Sequence, residues 1–463
     1  MRRSPIRYVD PVEAADNPGL DVTWLLTGWL VLLYAIHARL VIPGLGSLGH
    51  ASILVALMGG LWWLAGRLVP DLGLDRGLQP IRAALYLHSG YLIASYGVGA
   101  TRTLTELERS SSSRQQILLV AFTSIALLAA DGISDLPRLR TLLRRLTTIG
   151  ALFAGYGIVQ VLMGEALLLV PPGLEWNEAI EADVLERGGF LRPIAAAMHP
   201  IEYAVIVSSL LPLAIHFVLH PRSRGDRVRA IVELSLLIMA MPFSLSRTAI
   251  VCAAVVLIVL GLGWSWRRRA IALAIGLAIV PLVAALVPAI FQFMVDLFTG
   301  ADTDPSVQDR IDRIPAIMAV IRERPWFGWG YGTYSVEDFF LIDNQLWVTI
   351  ISTGIVGLIV TLALPAVAVM AALWHRPHDD PSGEWSHLGR AIAACIAGFT
   401  ASTVTFTAFS YRTLTFTLFL LIGCAGAFWR LTRPLADDGR SSEPDHLRVP
   451  EPRVSLPGRD RSS

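Results

Sequence analysis

The chain has 463 residues, 54% of them apolar and only 16% charged, with 38 basic groups against 37 acidic ones for a net charge of +1. Ordinary soluble domains carry roughly 25% charged residues, so this composition, with a mean hydropathy of +0.56, argues against a soluble multidomain protein. Near-neutrality offers no polyanion-binding balance, and nucleic acid is not the expected partner.

In chain order, residues 1–22 begin with Arg2, Arg3 and Arg7. They lack a small-residue cleavage site and precede many further apolar runs, so they read as a short cytoplasmic tail and not as a removable signal. A bilayer core of about 30 Å needs about 20 apolar residues per helix. Hydropathy gives about twelve such spans, near 23–42, 51–69, 81–100, 116–132, 142–163, 197–219, 228–241, 248–264, 270–294, 345–373, 388–406 and 413–429. The seventh is short for a span, and the Ser410-Tyr411-Arg412 break before the last is tight. Residues 430–463 mix Asp, Ser, Pro and Arg and read as a disordered cytoplasmic tail. The expected fold class is therefore an all-α polytopic membrane protein, with one transmembrane domain over 23–429 and outer loops at 164–196 and 297–342. No internal repeat is evident.

Arginine placement sets the expected orientation, because short cytoplasmic loops carry the positive charge. The even-numbered connections hold Arg67, Arg76 and Arg82; then Arg138, Arg140, Arg144 and Arg145; then Arg222, Arg224, Arg227 and Arg229; then Arg267, Arg268 and Arg269. Both termini are then cytoplasmic. The next even connection carries Arg376 beside Asp379, Asp380 and Glu384 and does not help; Arg102, Arg109 and Arg114, against Glu106 and Glu108, run against the rule on the outer side.

Three features gather on the expected outer face. Arg247 closes Phe243-Ser244-Leu245-Ser246-Arg247 at a membrane edge, where an ionisable side chain either snorkels to headgroups or serves a site. The outer loop holds Arg310 and Arg313 before apolar positions Ile311, Ile314, Ile317, Met318 and Ile321, whose spacing predicts an amphipathic helix near the membrane surface, with Pro315 tolerable only near its start. Glycines 328, 330 and 332 between aromatics predict a turn with unusual dihedrals or close approach. Asp343-Asn344 stands where the loop re-enters the membrane; Asp343 reads as an N-cap, as a general base for a sugar hydroxyl, or as both. Arg192 and His199 precede a further span, His199 being a ligand, a base or a helix-terminal histidine. Converging guanidiniums suit a diphosphate, since arginine offers planar, permanently charged, bidentate donors. Cys252, Cys395 and Cys424 lie in apolar runs without metal spacing and read as buried small hydrophobes.

Taken together, the Ser-x-Ser-Arg turn ending at Arg247, the Arg310-x-x-x-Ile314 spacing leading into Pro325-Trp326-Phe327-Gly328-Trp329-Gly330, and Asp343-Asn344-Gln345-Leu346 followed by Thr353-Gly354-Ile355-Val356-Gly357 resemble the O-antigen ligase and polymerase superfamily of bacterial envelope glycosyltransferases. The resemblance implies a C-type membrane glycosyltransferase plan of about twelve helices with a long outer loop. It implies a metal-independent transferase without cofactor that takes a glycan from an undecaprenyl-diphosphate carrier at the outer face of the inner membrane. Arg247 and Arg310 would grip the diphosphate, with Arg192, His199, Arg313 and Asn344 as further substrate contacts and Asp343 assisting the acceptor hydroxyl. Ligases of the superfamily typically show His-Asn where this chain has Asp343-Asn344, which favours polymerisation of lipid-linked repeat units over ligation to a lipid, wall or protein acceptor. The expected partners are the lipid-linked glycan, membrane lipids and other polysaccharide-assembly membrane proteins. A transporter is the competing class, but its polar groups would sit near the membrane midplane and its halves would often repeat.

Overall fold

The computed structural model describes residues 21–69, 77–166, 168, 170–177, 186–187, 189–299, 305–334, 342–374 and 380–433. Most of the expected N-terminal tail, Arg76, Arg376, Asp379 and the tail beyond residue 433 lie outside them. The chain is mostly helical: α1 (Val22–Ala35), α2 (Ala51–Leu68), α3 (Pro80–Gly99), α4 (Glu106–Gly132), α5 (Leu136–Met163), α6 (Pro200–Ser209), α7 (Leu211–Leu219), α8 (Arg224–Phe243), α9 (Arg247–Gly261), α10 (Trp266–Leu286), α11 (Pro288–Thr299), α12 (Pro305–Asp312), α13 (Ile314–Glu323), α14 (Gln345–Trp374), α15 (Glu384–Ser402) and α16 (Arg412–Thr432). Each expected span overlaps helix, although the first, 23–42, runs past the end of α1 into a two-residue strand at Leu40–Val41, and seven helical segments, with α6 and α7 counted as one, are long and apolar enough to cross a membrane by length and composition.

Local chemistry explains where helices and hydropathy part company. α4 begins ten residues before the apolar run. Thr105 accepts the Glu108 N–H at 3.1 Å, and the Glu108 carboxylate accepts the Thr105 N–H at 2.9 Å, a reciprocal cap that satisfies two orphan donors. The expected span 270–294 is two helices. Pro288 disfavours helical backbone at the residue before it, and Val287 ends α10 at φ −138°. The amphipathic stretch through Ile321 also splits, at Arg313, with Pro315 in the first turn of α13.

The core is built on α4 against α16. Phe416 meets Phe122 and Trp29 edge-on, at 4.5 and 5.3 Å between ring centres. α10 buries none of its most apolar stretch inside the protein, leaving that surface for lipid.

At one end of the bundle the arginines of the short loops are tied to carboxylates. Arg144 meets Asp226 at 2.9 Å and Glu233 at 2.8 Å, while Arg140 meets Glu384 at 2.7 Å. These pairs join α5, α8 and α15, and this is called the arginine-rich end below. The opposite end carries the start of α6, α9, α14 and α16 and is called the loop end.

Candidate functional site

The loop end is organised by a break in α14. Gly354 sits at φ +71°, ψ −177° inside the helix, a conformation that glycine alone adopts readily. The amides that lose their helical acceptors there find new ones in the aromatic turn: Ile355 N–H donates to Pro325 O at 2.9 Å and Val356 N–H to Trp326 O at 3.3 Å. The carbonyls released in exchange accept from the same turn, Ile351 O from Trp329 N–H at 2.9 Å and Ser352 O from Gly330 N–H at 2.8 Å. Contact is too close for side chains, since a Cβ on Gly354 would lie 2.1 Å from Trp326 O and one on Gly328 2.5 Å from Thr353 N. Gly330 in turn crosses Gly99, whose added Cβ would stand 2.6 Å from the Gly330 Cα. The three loop glycines at φ +67°, +116° and +79° thus serve both expected purposes, special dihedrals and close approach. Arg102 and Arg324 stack on Trp329 at 5.4 and 4.5 Å, and Arg102 also pairs with Glu108. Arg102, one of the arginines that ran against the charge rule, is thereby taken up in packing.

This docking fixes α13 beside the start of α14. Ile317 and Ile321 are buried with Ile342 and Ile351. Arg310, on α12, then reaches Asp343, its Nη2 donating to Oδ2 at 3.3 Å with both side chains 42% exposed. The N-cap of α14 is Asn344, not Asp343: its Oδ1 accepts from Leu346 N–H at 2.9 Å, and its Nδ2 donates to Val404 O at 2.9 Å. Helix capping therefore makes no claim on the Asp343 carboxylate. Tyr334 joins the group, within electrostatic reach of Asp343 and Arg313. Burial holds its hydroxyl protonated, pushed up to about 12, with Asp343 raising it further and Arg313 opposing.

The second group lies on the strap before α6. Arg192 is buried and its Nε donates to Ser244 O at 3.2 Å, tying the strap to the turn that delivers Arg247. In that turn Leu245 adopts φ +47° while fully buried, which aims the backbone so that Arg247 opens α9. The strap itself hangs on Gln160, whose Oε1 accepts from Ala195 N–H at 2.7 Å and Ile194 N–H at 3.1 Å. His199 caps α6, Nδ1 accepting from Ile201 N–H at 2.9 Å, so the helix-terminal reading describes it.

Residues 403–411 bridge the two groups. Gln345 N–H donates to Thr403 O at 3.0 Å, and Gln345 Oε1 accepts from Phe409 N–H at 2.9 Å. Phe406 meets Tyr411 at 5.3 Å between ring centres, and Tyr411 meets His199 at 5.6 Å. The sequence marked this segment only as a tight break. Glu202 was also missed. It is fully buried, accepting Met198 N–H at 2.8 Å and Leu414 N–H at 3.1 Å; an acid inside an apolar run was the available signal. Beside α14 a cavity of about 370 Å³ runs from Arg114, Gln115 and Tyr331 past Thr349 and Thr353 toward His88 and Phe419.

Residues 232–362 match the family model described as O-antigen ligase. That match covers 131 of the 463 residues and supports the O-antigen ligase and polymerase superfamily. The matched segment runs from α8 into α14 and includes Arg247, Arg310, Arg313, Asp343 and Asn344, while Arg192 and His199 lie before it. No curated protein matches the chain. The match supports glycan transfer of the ligase or polymerase type on lipid-linked glycan, in a bacterial inner-membrane protein.

Proposed function

We propose that the chain is a polymerase that joins undecaprenyl-diphosphate-linked repeat units at the outer face of the cytoplasmic membrane. In this reading the twelve expected spans all cross the bilayer, the loop end faces outward, and the arginine-rich end and both termini face the cytoplasm.

The observation that carries it is the Arg310–Asp343 pair at 3.3 Å, held over the broken α14 helix by the aromatic turn. An incoming diphosphate competes with Asp343 for Arg310, since phosphate offers the guanidinium a better-charged bidentate partner. Arg310, with Arg247, then neutralises the leaving group, and Asp343 is released to accept a proton. The acceptor hydroxyl oxygen attacks the anomeric carbon, the bond from that carbon to the phosphate oxygen breaks, and the hydroxyl proton passes to Asp343. The new glycosidic bond has inverted configuration and the diphosphate stays on its lipid. Arg192 and Arg313 flank the two arginines that carry the chemistry, Asn344 positions Asp343 by capping α14, and His199 presents its remaining ring nitrogen to substrate. Arginines, and no metal ion, supply the positive charge in this mechanism.

The family description favours a second reading, attachment of finished glycan to a separate acceptor. Arg247→Ala and Arg310→Ala separate the outcomes when lipid-linked glycans are extracted and sized. Single units accumulating on the carrier indicate the polymerase; finished polymer stranded on the carrier indicates the ligase. Wild-type glycans in both variants would remove the diphosphate site.

A further inference from the structure

Three histidines that glycan transfer does not use meet at the arginine-rich end. His216 and His220 stand four residues apart at the close of α7, so they share a helical face, and His387 enters from the first turn of α15. Two histidines at this spacing on one helix are a recognised way of presenting a pair of imidazoles to a metal. The three ring centres lie 5.1, 5.2 and 5.3 Å apart, an almost equilateral triangle. One ring nitrogen of each lies within 4.8 Å of the other two. His216 and His387 are buried and His220 is half-buried.

We propose that His216, His220 and His387 form a site for a divalent transition-metal ion of the zinc class, joining α7 to α15 at the arginine-rich end. Nδ1 of His216 and Nδ1 of His387 face one another at 3.1 Å. That is close to the spacing of two ligands on one ion, because metal–nitrogen bonds of about 2.0–2.1 Å at the tetrahedral angle put the nitrogens about 3.3–3.4 Å apart. His220, on the C-cap residue of α7, is the side chain that closes onto the ion. The fourth position takes water, with the Glu384 and Asp380 carboxylates, whose charges act on His220, offsetting those of Arg140 and Arg268. Neutral imidazoles select zinc, copper and nickel over magnesium or calcium.

The ion-free protonation pattern gives the site a signature. Trp264 Nε1–H donates to His387 Nε2 at 3.2 Å, and an indole nitrogen only donates. His387 therefore carries its proton on Nδ1 and gives it to His216 Nδ1, which leaves the His216 proton on Nε2. That nitrogen is buried and has no hydrogen-bond partner, so the ion-free triad leaves one buried donor unsatisfied. An ion between the two Nδ1 atoms replaces the shared proton and moves the His387 proton to Nε2. Trp264, half-exposed on the turn between α9 and α10, then loses its acceptor and turns away.

The full chain, purified in detergent, stripped with a chelator and titrated with Zn²⁺, tests this independently of any glycan chemistry. Calorimetry and metal analysis after gel filtration are expected to give one zinc per chain, with at least tenfold weaker binding in His387→Ala. Since that residue is buried, His220→Ala provides the same test at a half-exposed position and is expected to lose zinc while keeping the wild-type elution profile. Zinc is expected to change tryptophan emission in the wild type and not in Trp264→Phe, which still binds. A wild type that retains no zinc, a His220→Ala variant that binds like wild type, or an emission change that survives in Trp264→Phe would overturn the site.

Discussion

Replacing Gly354 with alanine should undock the aromatic turn. The residue sits at φ +71°, ψ −177°, a region essentially reserved for glycine that costs another residue about 1–3 kcal/mol, and the new methyl would stand 2.1 Å from Trp326 O, so the turn cannot stay where it is. Four backbone hydrogen bonds of 2.8–3.3 Å depend on that approach, each contributing about 0.5–1.5 kcal/mol net. Their combined loss, about 2–6 kcal/mol, moves the docked population by a factor of roughly 30 or more. Hydrogen exchange in detergent reads this directly: the Trp329, Gly330, Ile355 and Val356 amides should lose protection in Gly354→Ala while the α4 and α16 core amides keep theirs. On the proposed mechanism glycan transfer should fall with it, because the turn docks beside the Arg310–Asp343 pair. Wild-type protection at those four amides would show that the turn does not depend on Gly354.

Removing the Glu202 carboxylate in Glu202→Ala leaves the buried Leu414 N–H and the partly buried Met198 N–H without this acceptor. At about 1–3 kcal/mol each this should lower the thermal midpoint by several degrees in a detergent melt, and Glu202→Gln should recover part of the loss. Asn344→Ala removes the α14 cap and should cost about 1 kcal/mol; a chemical-denaturation midpoint equal to wild type would contradict the cap.

Much of this was legible because the physics was local. Apolar runs of span length, Pro315 near a helix start and the loop glycines each carry their structural meaning within a few residues. What stayed hidden depends on distant partners. Hydropathy cannot see that Thr105 and Glu108 begin α4 early, or that Gly354 breaks α14, because the missing hydrogen bonds come from residues 325–330. Asp343 and Asn344 are equally good caps by type, and only the contact of Asn344 with Val404 decides between them. The histidine triad was invisible for the same reason: His216 and His220 show the metal spacing, but His387 lies 167 residues beyond His220 along the chain.

In the proposed polymerase Asp343 and Arg310 serve the transfer of one lipid-linked glycan to another. A deletion strain complemented with wild type or with Asp343→Ala, its surface and carrier-linked glycans resolved on one gel, tests it most directly. Polymer is expected with wild type and single repeat units held on the carrier with Asp343→Ala; polymer of wild-type length from the variant would rule out a catalytic Asp343.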